Sequence, residues 1–335
     1  MQSHPEKPQV AAYLPLVVVG IVVVLFGLGP PLTKLVTAPP VVGVTMRFLL
    51  STPLLIGLLL ARGGRMSFKL IRTTMWPGLA FGTNLLFVFA ALQEATVSVL
   101  STTVATQPAL LLLLAGPIFG EKPRLRQVLW TLVGVSGTAI VILSAQSEVR
   151  ASALGVLWAV CALLTFSVYW VLTRIARSGT DVDPIEWMSG VNIWALIAAI
   201  VPIFFVGSIS DFKQFGGMDW LWILLIAIFT GATGHVLMSW AHAYVEAARS
   251  SLYLLGMHVV AVGAAWPIHG ESLTPLQMLG GVVVLGAVAM VIRIRQSRRR
   301  RDEARANDPG FAQSVLIVSI IRRRAGRARR GSNRK

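Results

Sequence analysis

The sequence predicts an all-α integral membrane protein of about ten transmembrane helices in two inverted five-helix repeats, and three observations carry that prediction. First, 55% of the 335 residues are hydrophobic, only 13% are charged and mean hydropathy is +0.71, against about 25% charged residues in a soluble domain. Second, the apolar residues gather into runs of bilayer length, about 20 residues each. Third, PIFGEKPRLRQVL at Pro117 to Leu129 returns as PIHGESLTPLQML at Pro267 to Leu279, a constant displacement of 150 residues. At that spacing Ala91 pairs with Ala241, Ala115 with Ala265, Val133 with Val283 and Ala139 with Ala289. A duplicated half-chain is the simplest source of such a repeat.

The chain divides accordingly. Residues 1–12 form a cytoplasmic N-terminus without the basic n-region and small-residue cleavage site of a signal peptide, so the first apolar run is expected to be retained as a helix. The first repeat, 13–146, holds spans near 13–35, 40–61, 75–95, 98–119 and 127–146. The second, 147–294, holds spans near 153–175, 186–207, 220–244, 250–269 and 276–294. The starts of the halves align at a different displacement, 140, with Thr33-Lys34 ending helix 1 and Thr173-Arg174 ending helix 6. An insertion near Ser178 to Asp183 absorbs the difference.

Charge sets the orientation. With the N-terminus inside, the cytoplasmic loops collect Arg62, Arg65, Lys69, Arg72, Lys122, Arg124, Arg126, Arg174, Arg177 and Arg249, and the outer loops only Lys34, Arg150 and Lys213. Ten against three places both termini in the cytoplasm of a multi-pass protein of the inner (plasma) membrane. Five helices per repeat then put Glu121 and Glu271 on opposite faces, the inverted plan of many secondary transporters. The net charge of +16 describes the 295–335 tail rather than a domain: 15 of the 30 basic residues lie from Arg293 onward, against three acids. RRRR at Arg298 to Arg301 and RRR at Arg322 to Arg324 bracket FAQSVLIVSII, too short to span. That pattern points to anionic membrane lipid as the tail's partner, ahead of disorder or specificity-free nucleic-acid binding.

LFGLGPPLTKL followed by MRFLL, the Ala-Leu closing helix 3, Gln-Pro in helix 4, GEK and a small-residue helix 5 together resemble the EamA-like family of the drug/metabolite transporter superfamily. Lys34, Arg47, Phe48, Pro108, Gly120 and Glu121 fall where that pattern has them, and the resemblance covers about residues 13–294, with the second half weaker. It implies ten helices in two inverted halves and transport of a small metabolite, amino acid or drug. Two departures stand out: His258 takes the place of Pro108 in the second half, and helix 7 has no match for Arg47.

Each polar group inside a span needs an account, because burial in lipid is costly. Arg47, about 10 Å into helix 2 at 1.5 Å per residue, either anchors an anionic group or pairs with carbonyls or a carboxylate to orient its helix, the second being favoured. Asn84 stands alone in helix 3. Helix 4 carries Ser101, Thr102, Thr103, Thr106 and Gln107; its hydroxyls read as packing residues and Gln107 as a pathway candidate, while Pro108 frees a carbonyl. Trp170 and Trp240 lie deep in helices 6 and 8, where an aromatic platform and plain packing compete. His235, Ser239, His242 and Glu246 are spaced 4, 3 and 4 with Gly231 one turn earlier, one face of helix 8. Imidazoles and a carboxylate in line are chemically suited to a proton relay, although His242 and Glu246 read better as a solvated end pairing with Arg249. His258 in helix 9 is a further pathway candidate, since transporter sites usually form at the midplane where paired repeat helices meet. Gly134, Gly137, Gly281 and Gly286 are expected to let helices 5 and 10 approach their neighbours, and Glu121 and Glu271 to serve structure.

Neither a catalytic triad, a phosphate-binding loop nor a metal pair emerges, so no enzyme activity and no cofactor are expected. The expected function is secondary transport of a small-molecule substrate by alternating access, with export favoured and proton coupling motivated by the helix 8 histidines. The competing classes are a membrane-embedded lipid-modifying enzyme and a non-transporting scaffold with a basic recruitment tail. Specific nucleic-acid binding is not expected, and oligomerisation is left open.

Overall fold

The computed structural model describes residues 14–107, 110, 111, 118, 125–147, 152–177, 182–205, 209–242 and 256–306, and every element among them is helical. The helices are α1 (Leu14–Lys34), α2 (Pro40–Ala61), α3 (Phe68–Glu94), α4 (Val97–Ala105), α5 (Leu125–Ser147), α6 (Ala153–Arg177) and α7 (Pro184–Ile200). There follow α8 (Asp219–Leu225), a π-helical stretch Ile226–Thr233 that continues it into α9 (Gly234–His242), then α10 (Gly256–His269) and α11 (Pro275–Ala306). Leu14–Lys34, Pro40–Ala61, Phe68–Glu94, Ala153–Arg177, Pro184–Phe204 and Asp219–Met238 are each long and apolar enough to cross a bilayer. Leu125–Val141 and Pro275–Met290 are shorter apolar stretches. Most of the expected fourth span beyond Thr106, including Pro108, and residues 250–255 of the ninth lie outside the described residues.

Local chemistry sets the helix ends. Ser67 Oγ accepts from Leu70 N at 3.1 Å and so starts α3 at Phe68, well before the expected 75. Asp183 Oδ1 accepts from Ile185 N at 2.8 Å, with Pro184 in the first turn of α7. Thr274 and Gln277 form a reciprocal capping box, Thr274 N donating to Gln277 Oε1 at 3.0 Å and Gln277 N to Thr274 Oγ1 at 3.1 Å. The glutamine that the two repeats share is, in the second, a helix-start residue. Gly270, at φ 65°, closes α10 and turns Glu271 back toward the bundle. The last helix runs to Ala306 rather than 294, because nothing between Arg295 and Arg301 breaks a helix.

The packing is that of an inverted repeat. α3 packs on α6 and α7, and its counterpart, the α8–α9 span, packs on α1 and α2. α4 lies on α6 as α10 lies on α1, while α2 with α7 and α5 with α11 are self-paired across the pseudo-two-fold axis. Small residues permit the close seams: an added Cβ on Gly82 would lie 2.5 Å from Ala195 O, and one on Gly137 2.9 Å from Gly280 O. Gly280 fills the role expected of Gly281 and Gly286, which meet nothing within 4 Å. Rows of exposed apolar side chains such as Leu16, Val17, Ile21 and Val24 on α1, and Leu157, Leu164 and Val168 on α6, form the lipid-facing surface.

Candidate functional site

Where α2, α3, α7 and the α8–α9 span meet, close to the pseudo-two-fold axis, a small cavity of about 10 Å³ is enclosed by Arg47, Phe48, Ser51, Phe81, Met188, Asn192, Gly231 and His235. A cavity of that volume has room for about one water molecule, so the walls are nearly in contact. Arg47 and His235, singled out separately in the sequence, thus share one chamber. No described residue donates to, accepts from or forms an ion pair with the Arg47 guanidinium, and none of the lining residues is acidic. His235 stacks obliquely on Phe26, ring centroids 5.2 Å apart.

The polar wall opposite is built by Asn192 and Ser51. Ser51 Oγ donates to Asn192 Oδ1 at 2.9 Å, and Asn192 Nδ2 donates to Met188 O at 2.9 Å. Both residues are almost fully buried. The apolar wall is aromatic: Phe48 meets Phe81 edge-on at 5.9 Å, and Phe81 lies 5.0 Å from Tyr169. Gly231 sits within the π-helical stretch, a local distortion that is frequent at functional sites. Ser51, Phe81, Met188 and Asn192 are not among the residues expected from the sequence. Asn192, alone in an apolar helix, carried the same signal as Asn84.

The remaining candidates lie elsewhere. Asn84 is spent on α6, donating to Ala162 O at 2.7 Å and to Thr165 Oγ1 at 3.4 Å. Gln107 donates to Phe166 O at 3.4 Å. His258 lies on α10 with no hydrogen-bond partner among the described residues, apart from the Arg47 chamber. Trp170 is 46% exposed on the outside of α6, in edge contact with Phe166. The backbones of Ser239, Trp240 and His242 belong to α9, but their side chains lie outside the described residues, as does all of Glu246. Among the described residues no group of His, Cys, Asp and Glu suits a metal ion.

One end of the bundle is tied across the two halves. Lys34 Nζ pairs with Glu271 Oε1 at 2.6 Å and donates to Ala95 O at 2.8 Å. Glu271 Oε2 also accepts from Val97 N at 2.9 Å, the first turn of α4. Asp219 accepts from Thr37 N at 2.8 Å and Ala38 N at 3.2 Å. His269 Nε2 lies 2.9 Å from Pro31 O. Glu271 therefore does serve structure, though on α1 and α4 rather than on the helix it precedes.

A model of the EamA-like transporter family matches residues 14–143 and again 153–293. A protein of Archaeoglobus fulgidus named "Uncharacterized transporter" is 25% identical over 62% of this chain and 74% of its own. Another so named, from Synechocystis, is 27% identical over 66% of this chain and 67% of its own. A Streptantibioticus cattleyicolor protein named "Probable terminal-alkyne amino-acid exporter" is 27% identical over 63% of this chain and 67% of its own. One crystal structure, 18% identical, superimposes with a TM-score of 0.59 over 85% of this chain and 98% of its own, a likeness of fold.

Proposed function

The chain belongs to the EamA-like transporter family, and on that premise we propose that it is a secondary carrier that exports a small organic metabolite, amino acid or drug by alternating access. One observation supports the location of its pathway: an arginine without a counter-charge among the described residues, lodged in a chamber between the two repeats. A cation within a span is costly in lipid and marks a substrate or ion route by default. The opposite reading, an arginine paired to orient its helix, finds no described partner for Arg47. Export is supported by the relative named as an exporter.

In this reading the Lys34 end faces outward, both termini are cytoplasmic and the membrane is the plasma membrane, as the ten-to-three charge asymmetry of the loops argues. The basic end of α11 leaves the membrane on the cytoplasmic side, where its arginines meet anionic lipid headgroups of the inner leaflet. Gln107 and His258 line the route beside α4 and α10. Proton coupling runs through His235, with His242 and Glu246 beyond it. Membership of a transporter family weighs against the enzyme and scaffold readings.

The test is counterflow in proteoliposomes across amino acids, nucleosides, sugars and cationic drugs. At least one solute class should exchange in wild type and be lost in Arg47→Ala. If nothing exchanges, the carrier reading fails. If His235→Gln leaves the pH dependence of exchange unchanged, coupling through that residue fails.

A further inference from the structure

The chamber that holds Arg47 also specifies what enters it. Resting on the carrier reading, we infer that its cargo is a small organic carboxylate with a compact apolar or aromatic body.

The argument begins with charge. The guanidinium lies beside seven lining residues, Phe48, Ser51, Phe81, Met188, Asn192, Gly231 and His235, none of which carries a negative charge. The acids described in the transmembrane bundle sit at the helix ends and are engaged or remote. Glu271 is held by Lys34, Asp219 by the Thr37–Ala38 backbone, Glu94 by Ser152 and Asp183 by the α7 first turn. In a low-dielectric chamber an uncompensated cation attracts an anion strongly and repels a cation. Arginine's planar fork suits the two oxygens of a carboxylate better than a point acceptor.

The rest of the chamber limits the body of the ligand. Asn192 accepts from Ser51 Oγ and donates to Met188 O, bonds that hold this polar wall in place. Phe48, Phe81 and Met188 supply an apolar wall that extends through Phe81 to Tyr169. Sugars and nucleosides, with many donors to satisfy, are disfavoured by that wall. At about 10 Å³ the chamber opens to cargo only when its walls part. The segment with the least regular winding is the π-helical stretch bearing Gly231, beside α2.

The experiment uses the full-length protein in nanodiscs and matched probes of nearly constant shape: phenylacetate, phenylacetamide and phenethylamine, then isovalerate, isovaleramide and isoamylamine. Thermal stabilisation at millimolar probe should be saturable for the acids and about tenfold weaker or more for the amides and amines. Arg47→Gln should abolish the preference for acids, and Arg47→Lys should restore part of it. Should the arginine variants fail to fold, Asn192→Asp sets a negative charge against Arg47 and should weaken acid binding by about tenfold or more. Amines or amides binding as well as acids, no stabilisation by any acid, or acid binding indifferent to both Arg47→Gln and Asn192→Asp, overturns the inference. Counterflow with the same probes separates this claim from the one beneath it. Exchange of amines but not acids sinks the cargo class and leaves the carrier standing. Acids that bind at Arg47 yet never exchange sink the carrier and leave the recognition chemistry standing.

Discussion

Asn84 and Arg47 present the same signal in the sequence, one polar residue in an apolar helix, and the structure gives them different work. Asn84 ties α3 to α6 through Ala162 O, a bond of the kind worth about 1 kcal/mol between membrane helices. Asn84→Leu should therefore lower unfolding stability in detergent by about 1 kcal/mol and leave counterflow near wild type. Arg47 was legible as a candidate because a charge in a span is rare. Its chamber was not, because Ser51, Phe81, Met188 and Asn192 come together only when three helices are folded against α2. No spacing within one helix encodes that meeting.

The span built from α8, the π-helical stretch and α9 shows where element-level reading stops. Its length and apolar content were plain, and so was a stripe from Gly231 through His235. The widened winding at Ile226–Thr233 was not, since periodicity arguments assume 3.6 residues per turn throughout. A π stretch carries one residue more than regular α winding requires. Deleting Ala227 should restore that winding and turn His235 by about 100° relative to α8. The expected outcome is normal membrane insertion with counterflow abolished; unchanged transport would show that the irregular winding is incidental. Helix boundaries were read best at α2, expected and found at 40–61, where Pro40 opens the helix. They were read worst at Phe68, where the Ser67 cap lies well before the apolar run, and at Ala306, where helical residues simply continue beyond it.

For the molecule as a whole, the repeat was the most legible feature, because two copies of one motif at fixed displacement require no knowledge of contacts. What the motif does needed coordinates. Its Gly-Glu pair ends α10 and delivers Glu271 to Lys34 of the other half, so that a duplicated turn becomes a tie between the duplicates. Glu271→Gln removes one charge of that tie and should favour opening of the Lys34 end by roughly tenfold, a typical coupling between states. In a Cys161→Ala background, Ser51→Cys placed in the chamber reports it. Labelling by a membrane-impermeant maleimide from the Lys34 side should accelerate by about that factor. Equal rates in both proteins would mean that the pair does not hold that end shut.

Arg47 has one more consequence, and it concerns voltage. Lys34 and Glu271 sit at one end of the bundle, so parting them moves little charge through the membrane field. The guanidinium between the repeats does carry charge, and a full elementary charge crossing the field feels about 2.3 kcal/mol per 100 mV. On the carboxylate reading it would cross as a neutral pair when loaded and as a cation when empty. Each cycle would then carry one negative charge outward, with the electrical work done on the return stroke, so the inside-negative polarity of the cell both hastens the empty carrier and drives export.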